Sequence, residues 1–444
     1  MGVRLDPVPS DNNLPASVDV VVIGGGILGV TTAYFLAKRG VSVALCEKGE
    51  IAAEQSSRNW GWVRKQGGDP AEIELTLHSV ELWNNMNAEI GAETGFRTCG
   101  SISLASSEKD IAGCEAWIDS VRDYLPELGT QVLSRRELES LLPGSPQQFV
   151  GGLYTATDGR AEPQLAAPEI AKAARQRGAA ILTNCAVRGF ETTAGRISSV
   201  VTEKGEIACS SVVLAGGAWC RTFCTNMGIP LPQLKLRTSV MSTAPMDGGP
   251  FPAAMAPGYS FRRRLDGGYT IGTGFMNYVD LVPDSFKLLP LFLPTLRHEW
   301  STFRVRFGRQ FFEDLTAPSR WQLDQTSPFE RTRILDPEPV DRDLAQVLKT
   351  LSADFPAFRS AKIAEKWAGI TDVSPDAMPF LTAVPSTPGF FVATGFSGHG
   401  FGNGPGAGYL MADLVTGAKP RVDPHPFRFT RFTDGPRLEY RARI

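Results

Sequence analysis

The chain has 444 residues, of which 42% are hydrophobic and 21% are charged, a composition typical of a soluble globular protein with two or three domains. Its 45 Lys and Arg residues nearly balance its 47 Asp and Glu residues, which argues against a protein dedicated to nucleic acid or to a charged surface. Seven scattered cysteines form no C-x-x-C pair, so a disulfide framework is not expected and a reducing, cytoplasmic location is favoured. Residues 1–19 lack the apolar core of a secretory signal. No apolar run reaches the ~18 residues of a membrane-spanning helix.

The first clear elements lie between residues 19 and 47. The segment DVVVIG is a run of β-branched residues typical of a strand buried on both faces of a parallel sheet. A glycine-rich turn and an apolar helical pattern follow, and Gly40 marks the end of the predicted helix. The next strand, VSVALCE, ends at Glu47. Together these segments predict a β-α-β unit.

Gly24, Gly26 and Gly29 form a G-x-G-x-x-G motif between the first strand and the helix. In this context the first glycine allows a tight turn, the second lets the backbone approach a pyrophosphate, and the third allows close helix packing. Glu47 stands where an acidic side chain accepts hydrogen bonds from ribose hydroxyls. Val30 stands where a P-loop requires a lysine, which excludes a P-loop nucleoside triphosphatase. The motif predicts a dinucleotide site.

The rest of the chain suggests two interleaved domains. A helix is predicted over residues 71–91, a strand over 97–104, several strands over 177–220, and mixed strands and helices over 231–355. At the C-terminus a strand at 390–395 precedes a predicted glycine-rich loop over 396–408 and then a helix. We assign residues 1–90, 160–230 and 360–444 to a dinucleotide-binding domain. Residues 91–159 and 231–359 are assigned to a substrate-binding domain.

Several catalytic templates are missing from the sequence. The four histidines form no H-E-x-x-H pair, and the segment around Ser397 departs from the nucleophile elbow because His399 occupies its last position. We therefore predict neither a metal site nor a serine nucleophile. The chemistry is expected to come from the cofactor.

Four regions of the chain together resemble the D-amino-acid oxidase-like family of FAD proteins, which includes glycine oxidase, sarcosine oxidase and D-amino-acid dehydrogenases. The regions are VVVIGGGILGVTTAYFLAKRGVSVALCEK, EQSSRNWGWVR, VVLAGGAW, and the C-terminal KWAGITDVSPDAMPF with GFFVATGFSGHGFGNGPGAG. The resemblance implies an α/β fold in which a glutathione-reductase-type FAD-binding Rossmann domain is interleaved with an antiparallel α+β substrate domain. It also implies FAD bound without a covalent link, because the cysteine or histidine that relatives use for attachment is missing near Ala368 and Asn59.

The resemblance also assigns cofactor contacts. It places His399 beside the flavin, with Gly398 to Phe401 at the pyrimidine end, and Val187 beside the adenine. The full predicted set is Gly24, Gly26, Ile27, Leu28, Gly29, Glu47, Lys48, Ser56, Ser57, Arg58, Val187, Gly216, Gly398, His399, Gly400 and Phe401.

The sequence departs from the family where the substrate carboxylate is usually held. Thr371 and Gly402 stand where relatives carry a carboxylate-binding Arg or Lys, and Thr270 stands where sarcosine oxidase-like members carry a Lys over the flavin. Replacement anchors for the carboxylate are Arg64, Arg262 and Arg264, although the triplet at 262–264 could equally be the solvated end of a strand. Trp60, Trp62 and Tyr259 are candidates for the apolar walls of the substrate site, although aromatic residues at these positions could equally belong to the core.

These patterns lead to one main functional hypothesis and one alternative. The main hypothesis is an FAD enzyme that oxidises a C–N bond of an amino acid or of a bulky, cyclic or N-substituted amine to the imine, by hydride transfer to flavin N5. Oxygen, a quinone or a partner electron carrier would then reoxidise the cofactor. The alternative is a catalytically silent flavin-binding or electron-relay subunit. Neither a nucleic acid nor a membrane span is expected.

Overall fold

The computed structural model describes residues 3–144, 146, 148–274 and 276–434. The strands in this part of the chain are β1 Val20–Ile23, β2 Val43–Cys46, β3 Trp62–Val63, β4 Arg97–Thr98, β5 Ser101–Ala105, β6 Thr130–Ser134, β7 Gly151–Thr155, β8 Gly159–Arg160, β9 Ala180–Leu182, β10 Val187–Thr193, β11 Arg196–Thr202, β12 Gly205–Ala208, β13 Ser211–Leu214, β14 Leu234–Thr243, β15 Ala253–Ala256, β16 Tyr259–Arg263, β17 Tyr269–Gly272, β18 Asn277–Asp280, β19 Phe303–Arg306, β20 Ile363–Val373, β21 Phe380–Ala383 and β22 Phe390–Thr394. The helices are α1 Ile27–Lys38, α2 Gln55–Arg58, α3 Ile73–Ile90, α4 Glu108–Ser120, α5 Leu125–Leu128, α6 Arg135–Leu141, α7 Pro163–Gln176, α8 Cys220–Asn226, α9 Pro283–Lys287, α10 Leu289–Glu299, α11 Arg309–Thr316, α12 Pro328–Arg331, α13 Asp341–Asp354 and α14 Gly400–Thr416.

A largely parallel sheet carries the β-α-β unit. Its strand order is β21-β22-β13-β1-β2-β9, and only β21 runs antiparallel to its neighbour. Every residue of β1 and β2 is buried, because the sheet is covered on both faces, as continuous apolar strands require. The predicted β-α-β unit and the Rossmann-type fold are confirmed.

Helices α1 and α14 pack closely because small residues meet at their contact. A Cβ on Gly404 would lie 2.5 Å from the Ile27 side chain, and one on Gly408 would lie 2.2 Å from Thr31 Oγ1. Thr31 Oγ1 also donates a hydrogen bond of 3.0 Å to the Gly404 carbonyl. The stretch predicted as a glycine-rich loop up to residue 408 is therefore already helical from Gly400. Here the tertiary contact overrides the low helix propensity of glycine.

A second, mostly antiparallel sheet packs beside the first. Its order is β19-β18-β14-β17-β16-β15-β5-β7-β6, and β20 pairs along the length of β14. The sheet includes Ile363–Val373, which lies within the range predicted for the dinucleotide-binding domain. The domain ranges stay predictions, and residues 1, 2, 145, 147, 275 and 435–444 within them lie outside the described part of the chain.

Large exposed apolar side chains concentrate between residues 286 and 315, where Trp300 is 64% and Phe307 is 61% exposed. Across the described residues, we find no helix with the length and apolar character needed to traverse a bilayer. All seven cysteines are buried as free thiols.

Candidate active site

An elongated cavity opens at the carboxyl ends of the parallel strands, the usual ligand position in open α/β sheets. Its lining combines residues that follow β1, β2, β13 and β22 with residues of β14 and β20 in the second sheet. Leu236 and Thr238 represent β14, and Thr371 represents β20. The cavity therefore runs from the Rossmann-type unit to the neighbouring sheet.

The glycine turn after β1 leaves room for a pyrophosphate. Gly24 has a φ of +108°, and a Cβ there would lie 2.5 Å from the Ala215 carbonyl oxygen. Gly26 lines the cavity, and a Cβ there would lie 3.0 Å from Ser56 Oγ. The Ile27 N–H donates to Ser56 Oγ at 2.8 Å, while the next N–H groups of α1 have no partner within the helix. Such a helix start fits a dinucleotide pyrophosphate.

Glu47 is held in place by the backbone at the end of β2. Its Oε2 accepts a hydrogen bond of 2.6 Å from the Gly25 N–H, and its Oε1 accepts one of 2.7 Å from the Gly49 N–H. Burial raises the pKa of this carboxyl group. Each carboxylate oxygen keeps a further lone pair, so Glu47 can still accept hydrogen bonds from ribose hydroxyls.

The Lys48 ammonium group binds protein groups. It donates to Glu54 Oε1 at 2.6 Å and to the carbonyl oxygens of Thr332 and Arg333 at 3.0 and 2.7 Å. The residue also lines the cavity. The sequence did not indicate this link to a distant segment, and the cofactor contact of Lys48 stays a prediction.

Aromatic and basic side chains also contribute to the cavity. The Trp60 and Trp62 ring centroids are 6.0 Å apart, and the Arg64 guanidinium carbon lies 5.5 Å from the centre of the Trp62 ring. His399 Nδ1 lies 2.9 Å from the Phe396 carbonyl oxygen. Because a carbonyl only accepts, this hydrogen bond requires the proton to be on Nδ1. All four side chains line the cavity.

Asp372 is a buried lining residue that sequence reasoning missed. Its Oδ2 accepts hydrogen bonds from Gln233 Nε2 at 2.8 Å, from Thr394 Oγ1 at 2.9 Å and from the Gly395 N–H at 2.6 Å. Gln233 also donates to the Gly217 carbonyl at 3.2 Å. Gln233 lies 139 residues before Asp372 in the chain, so no local pattern could have identified the cluster.

Most of the residues predicted to bind the cofactor meet at this cavity. Gly29 and Ser57 lie behind its wall: a Cβ on Gly29 would lie 1.8 Å from the Gly24 carbonyl oxygen, and Ser57 Oγ donates to the Glu54 carbonyl at 3.2 Å. The lining residues from the predicted set are Gly24, Gly26, Ile27, Leu28, Glu47, Lys48, Ser56, Arg58, Val187, Gly216, Gly398, His399, Gly400 and Phe401. Their individual contacts with a cofactor remain predictions.

Arg262 corrects the expectation of a substrate anchor or a solvated strand end. It is 1% exposed, and its Nη1 and Nη2 donate to the two carboxylate oxygens of Glu162 at 2.8 and 3.0 Å. A guanidinium paired in this bidentate manner is committed to the protein interior. Arg264 forms an ion pair of 3.3 Å with Asp266. Neither arginine lines the cavity in the described structure.

Tyr259 and Thr270 also lie away from the cavity. Tyr259 is fully buried in the core of the second sheet, where its hydroxyl donates to Asp354 Oδ2 at 2.7 Å. Thr270 is 2% exposed on β17 and pairs in register with Arg262. The sequence located both on the correct sheet but could not tell which face of the strand each side chain takes, because a shift of one residue reverses the face.

Comparisons with known proteins agree with this geometry. A family profile described as FAD dependent oxidoreductase matches residues 19–414. The chain is 25% identical over 441 residues to mitochondrial sarcosine dehydrogenase of Mus musculus, covering 97% of this chain but only 43% of that protein. It is 24% identical to glycine oxidase of Pseudomonas putida, covering 93% of this chain and 98% of that enzyme.

A solved structure gives a more similar relative. The L-amino acid deaminase from Proteus myxofaciens, determined in complex with anthranilate, superposes with a TM-score of 0.93 at 36% sequence identity, covering 97% of each chain. The resemblance noted in the sequence is thereby confirmed. Because the family match spans most of the chain and the dinucleotide turn lines its cavity, the chain belongs to the FAD dependent oxidoreductase family and takes FAD as its cofactor.

Proposed function

We propose that this oxidoreductase removes hydride from the carbon next to the nitrogen of an α-amino acid, with preference for bulky, cyclic or N-substituted compounds. The observation that carries the proposal is that Arg64 lies with Trp60 and Trp62 in the same cavity as the dinucleotide turn. A guanidinium binds a carboxylate bidentately, and the indole rings offer an apolar wall for a large side chain.

The roles of the residues follow from their chemistry. When bound, FAD accepts the hydride, and the imine product then hydrolyses in water. Arg64 holds the substrate carboxylate, and Trp60 and Trp62 exclude water from the reacting carbon. His399 Nε2 accepts a hydrogen bond from the substrate amino group. These contacts fix the orientation that hydride transfer needs.

The names of the relatives support an amino acid as substrate. The structure at 36% identity is an L-amino acid deaminase, and its match covers 97% of both chains. Oxidation of a primary amine to an imine followed by hydrolysis is a deamination. We therefore propose L-α-amino acids as the first class to test, ahead of glycine and sarcosine.

The test is anaerobic bleaching of the bound flavin by amino acids of both hands, with N-methyl and cyclic compounds included. A bulky L-amino acid should bleach the flavin, while glycine and sarcosine should act slowly. If no amine bleaches a fully loaded protein, the silent-subunit alternative is supported and the proposal is wrong. This alternative is not favoured by the three relatives compared above, each of which is named as an enzyme.

Arg64→Gln tests the anchor in the same assay. We expect KM to rise about 10- to 100-fold, the range for losing a hydrogen bond to a charged group, with little change in flavin content. Arg122→Gln is the matched control, because the Arg122 side chain is 72% exposed. An unchanged KM in Arg64→Gln would assign the carboxylate to another group.

The electron acceptor is a separate part of the proposal. Thr270 lies outside the cavity lining, so the missing lysine does not by itself decide between oxygen and a quinone or partner carrier. Reoxidation of the substrate-reduced enzyme in air-saturated buffer is compared with reoxidation by a soluble quinone. Peroxide release at the rate of turnover identifies an oxidase, and slow reoxidation in air with fast reoxidation by quinone identifies a dehydrogenase.

A further inference from the structure

A segment much later in the chain borders the same cavity as Glu47 and Val187. We call residues 327–336 the strap. Phe329 of the strap lines the cavity together with those two residues. Its ring packs against Trp219 with centroids 5.7 Å apart, and against Phe223 at 6.1 Å. Since the ribose and adenine are expected at Glu47 and Val187, the strap faces the adenosine half of FAD.

Reciprocal hydrogen bonds attach the strap to the end of β2. The Lys48 ammonium donates to the Thr332 and Arg333 carbonyls at 3.0 and 2.7 Å, and Arg333 Nη1 donates to the Lys48 carbonyl at 2.8 Å. A Cβ on Gly49 would lie 2.6 Å from the Arg333 carbonyl oxygen. The strap backbone therefore touches the loop that carries the predicted ribose ligand.

Two ion pairs attach the strap to the antiparallel strands beside the cavity. Arg333 pairs with Glu203 through both carboxylate oxygens, one of them at 2.6 Å. Arg188 donates to the two carboxylate oxygens of Glu330 at 2.9 Å each, and this contact lowers the pKa of Glu330 to about 2. The Glu54 carboxylate accepts a further bond of 3.0 Å from the Leu335 N–H.

The hydrogen-bond partners Lys48, Glu54, Arg188 and Glu203 belong to the Rossmann-type part of the chain or lie beside it. The strap itself follows the helices of the second part, and its Phe329 ring also packs against Trp321 of that part, with centroids 5.3 Å apart. Opening the adenosine end of the cavity therefore requires these contacts to break together. We propose that the strap is a cofactor clamp, which slows FAD release through the Arg333–Glu203 and Arg188–Glu330 pairs.

The experiment measures FAD release from the holoenzyme by the rise in free-flavin fluorescence after dilution. Arg333→Gln should release FAD about tenfold faster, since one or two charge-assisted hydrogen bonds are lost. The control is Arg306→Gln, which removes a comparable pair with Asp280 at 2.7 and 2.9 Å on β19, away from the cavity lining. We expect this control to release FAD at the wild-type rate.

The charge swap Arg333→Glu with Glu203→Arg separates clamping from general loss of structure. The double variant should restore slow release relative to either single change. In the wild type, 1 M salt should accelerate release toward the rate of Arg333→Gln, because partly exposed ion pairs are screened. If the single variants and high salt leave the release rate unchanged, the clamp is refuted. If a single variant fails to fold, the swap and the salt response decide.

Discussion

Gly26 is the position in the turn where we expect a larger side chain to prevent cofactor binding. A Cβ at this residue would lie 3.0 Å from Ser56 Oγ, and a branched side chain would extend into the space needed by the pyrophosphate. We expect Gly26→Val to purify without flavin, measured as the ratio of absorbance at flavin and protein wavelengths. Gly113→Val is the control, because a Cβ at Gly113 meets nothing within 4 Å. Full flavin content in Gly26→Val would show that the dinucleotide site is misplaced.

His78 makes the stability of the protein sensitive to acid. Within the described part of the chain the ring is 5% exposed and neither nitrogen has a hydrogen-bond partner, and burial lowers its pKa to about 4. The folded pKa is thus below the unfolded value of about 6.5. As the pH falls from 6.5 toward 4, the unfolded chain binds the proton first, and stability is lost.

His78→Phe should remove this part of the pH dependence. Between pH 7 and pH 5 the wild type should lose about 2 kcal/mol of unfolding free energy through this group, and the variant should lose correspondingly less. Urea unfolding at the two pH values measures the difference. The same replacement at exposed His425 serves as the control. Equal acid sensitivity in wild type and His78→Phe would contradict the assignment.

At the scale of single residues, the sequence identified side chains that act locally and missed those that act through distant partners. Gly24, Gly26 and Glu47 lie within one β-α-β unit, so their spacing alone predicted a dinucleotide site. Arg262 was considered as a substrate anchor, but its partner Glu162 is 100 residues away in the chain. A buried ion pair of this kind leaves no periodic pattern in the sequence.

The close contact between α1 and α14 predicts that replacing Gly408 by Ala destabilises the protein. Ala is normally favoured over Gly in a helix by about 1 kcal/mol. At Gly408, however, the added Cβ would lie 2.2 Å from Thr31 Oγ1 and 2.8 Å from the Thr31 backbone. We expect Gly408→Ala to lower the unfolding free energy by about 1 to 3 kcal/mol, the usual effect of overpacking.

Gly113→Ala provides the matched comparison. It lies in α4, where nothing is within 4 Å of the added Cβ, so this variant should be slightly more stable than the wild type. Urea unfolding and the thermal midpoint report both changes. Stabilisation of the protein by Gly408→Ala would mean that α1 and α14 do not pack as closely as described.

At the scale of helices and strands, elements with a clear apolar pattern could be predicted from the sequence. Elements whose conformation depends on packing against another element could not. Strands β1 and β2 could be predicted because they consist of uninterrupted apolar residues, all of which are buried in the structure. Helix α3 could be predicted because its apolar residues recur at helical spacing. The start of α14 was placed too late, because glycines at 400–408 favour a loop in isolation. Their role becomes visible only when α1 lies beside them.

At the scale of the whole molecule, the cavity is formed by segments whose proximity could not be predicted from the sequence. Lys48 contacts the carbonyls of residues 332 and 333, and Asp372 accepts from Gln233 and Thr394. Each of these contacts joins residues far apart in the chain. The dinucleotide half of the site could therefore be predicted, whereas the strap and the Asp372 cluster required the tertiary structure.

We expect the exposed apolar cluster at residues 286–315 to promote self-association. Phe307 and Phe312 are 61% and 57% exposed, with ring centroids 5.8 Å apart. Large contiguous apolar surfaces on soluble proteins promote association. We expect the double variant Phe307→Ser and Phe312→Ser to bind less hydrophobic dye and to self-associate less in sedimentation velocity. Flavin content should stay unchanged, because neither side chain lines the cavity.

Phe251→Ser is the matched control for this cluster. Phe251 is 55% exposed but lies outside residues 286–315, so its replacement removes a similar apolar area without dividing the cluster. The double variant should lower dye binding by more than twice the amount that Phe251→Ser does. The reason is that a dye molecule binds a contiguous apolar surface more strongly than separate apolar side chains. If the double variant and the control change dye binding and association equally per side chain, the cluster behaves as isolated exposed residues, which are ordinary on protein surfaces.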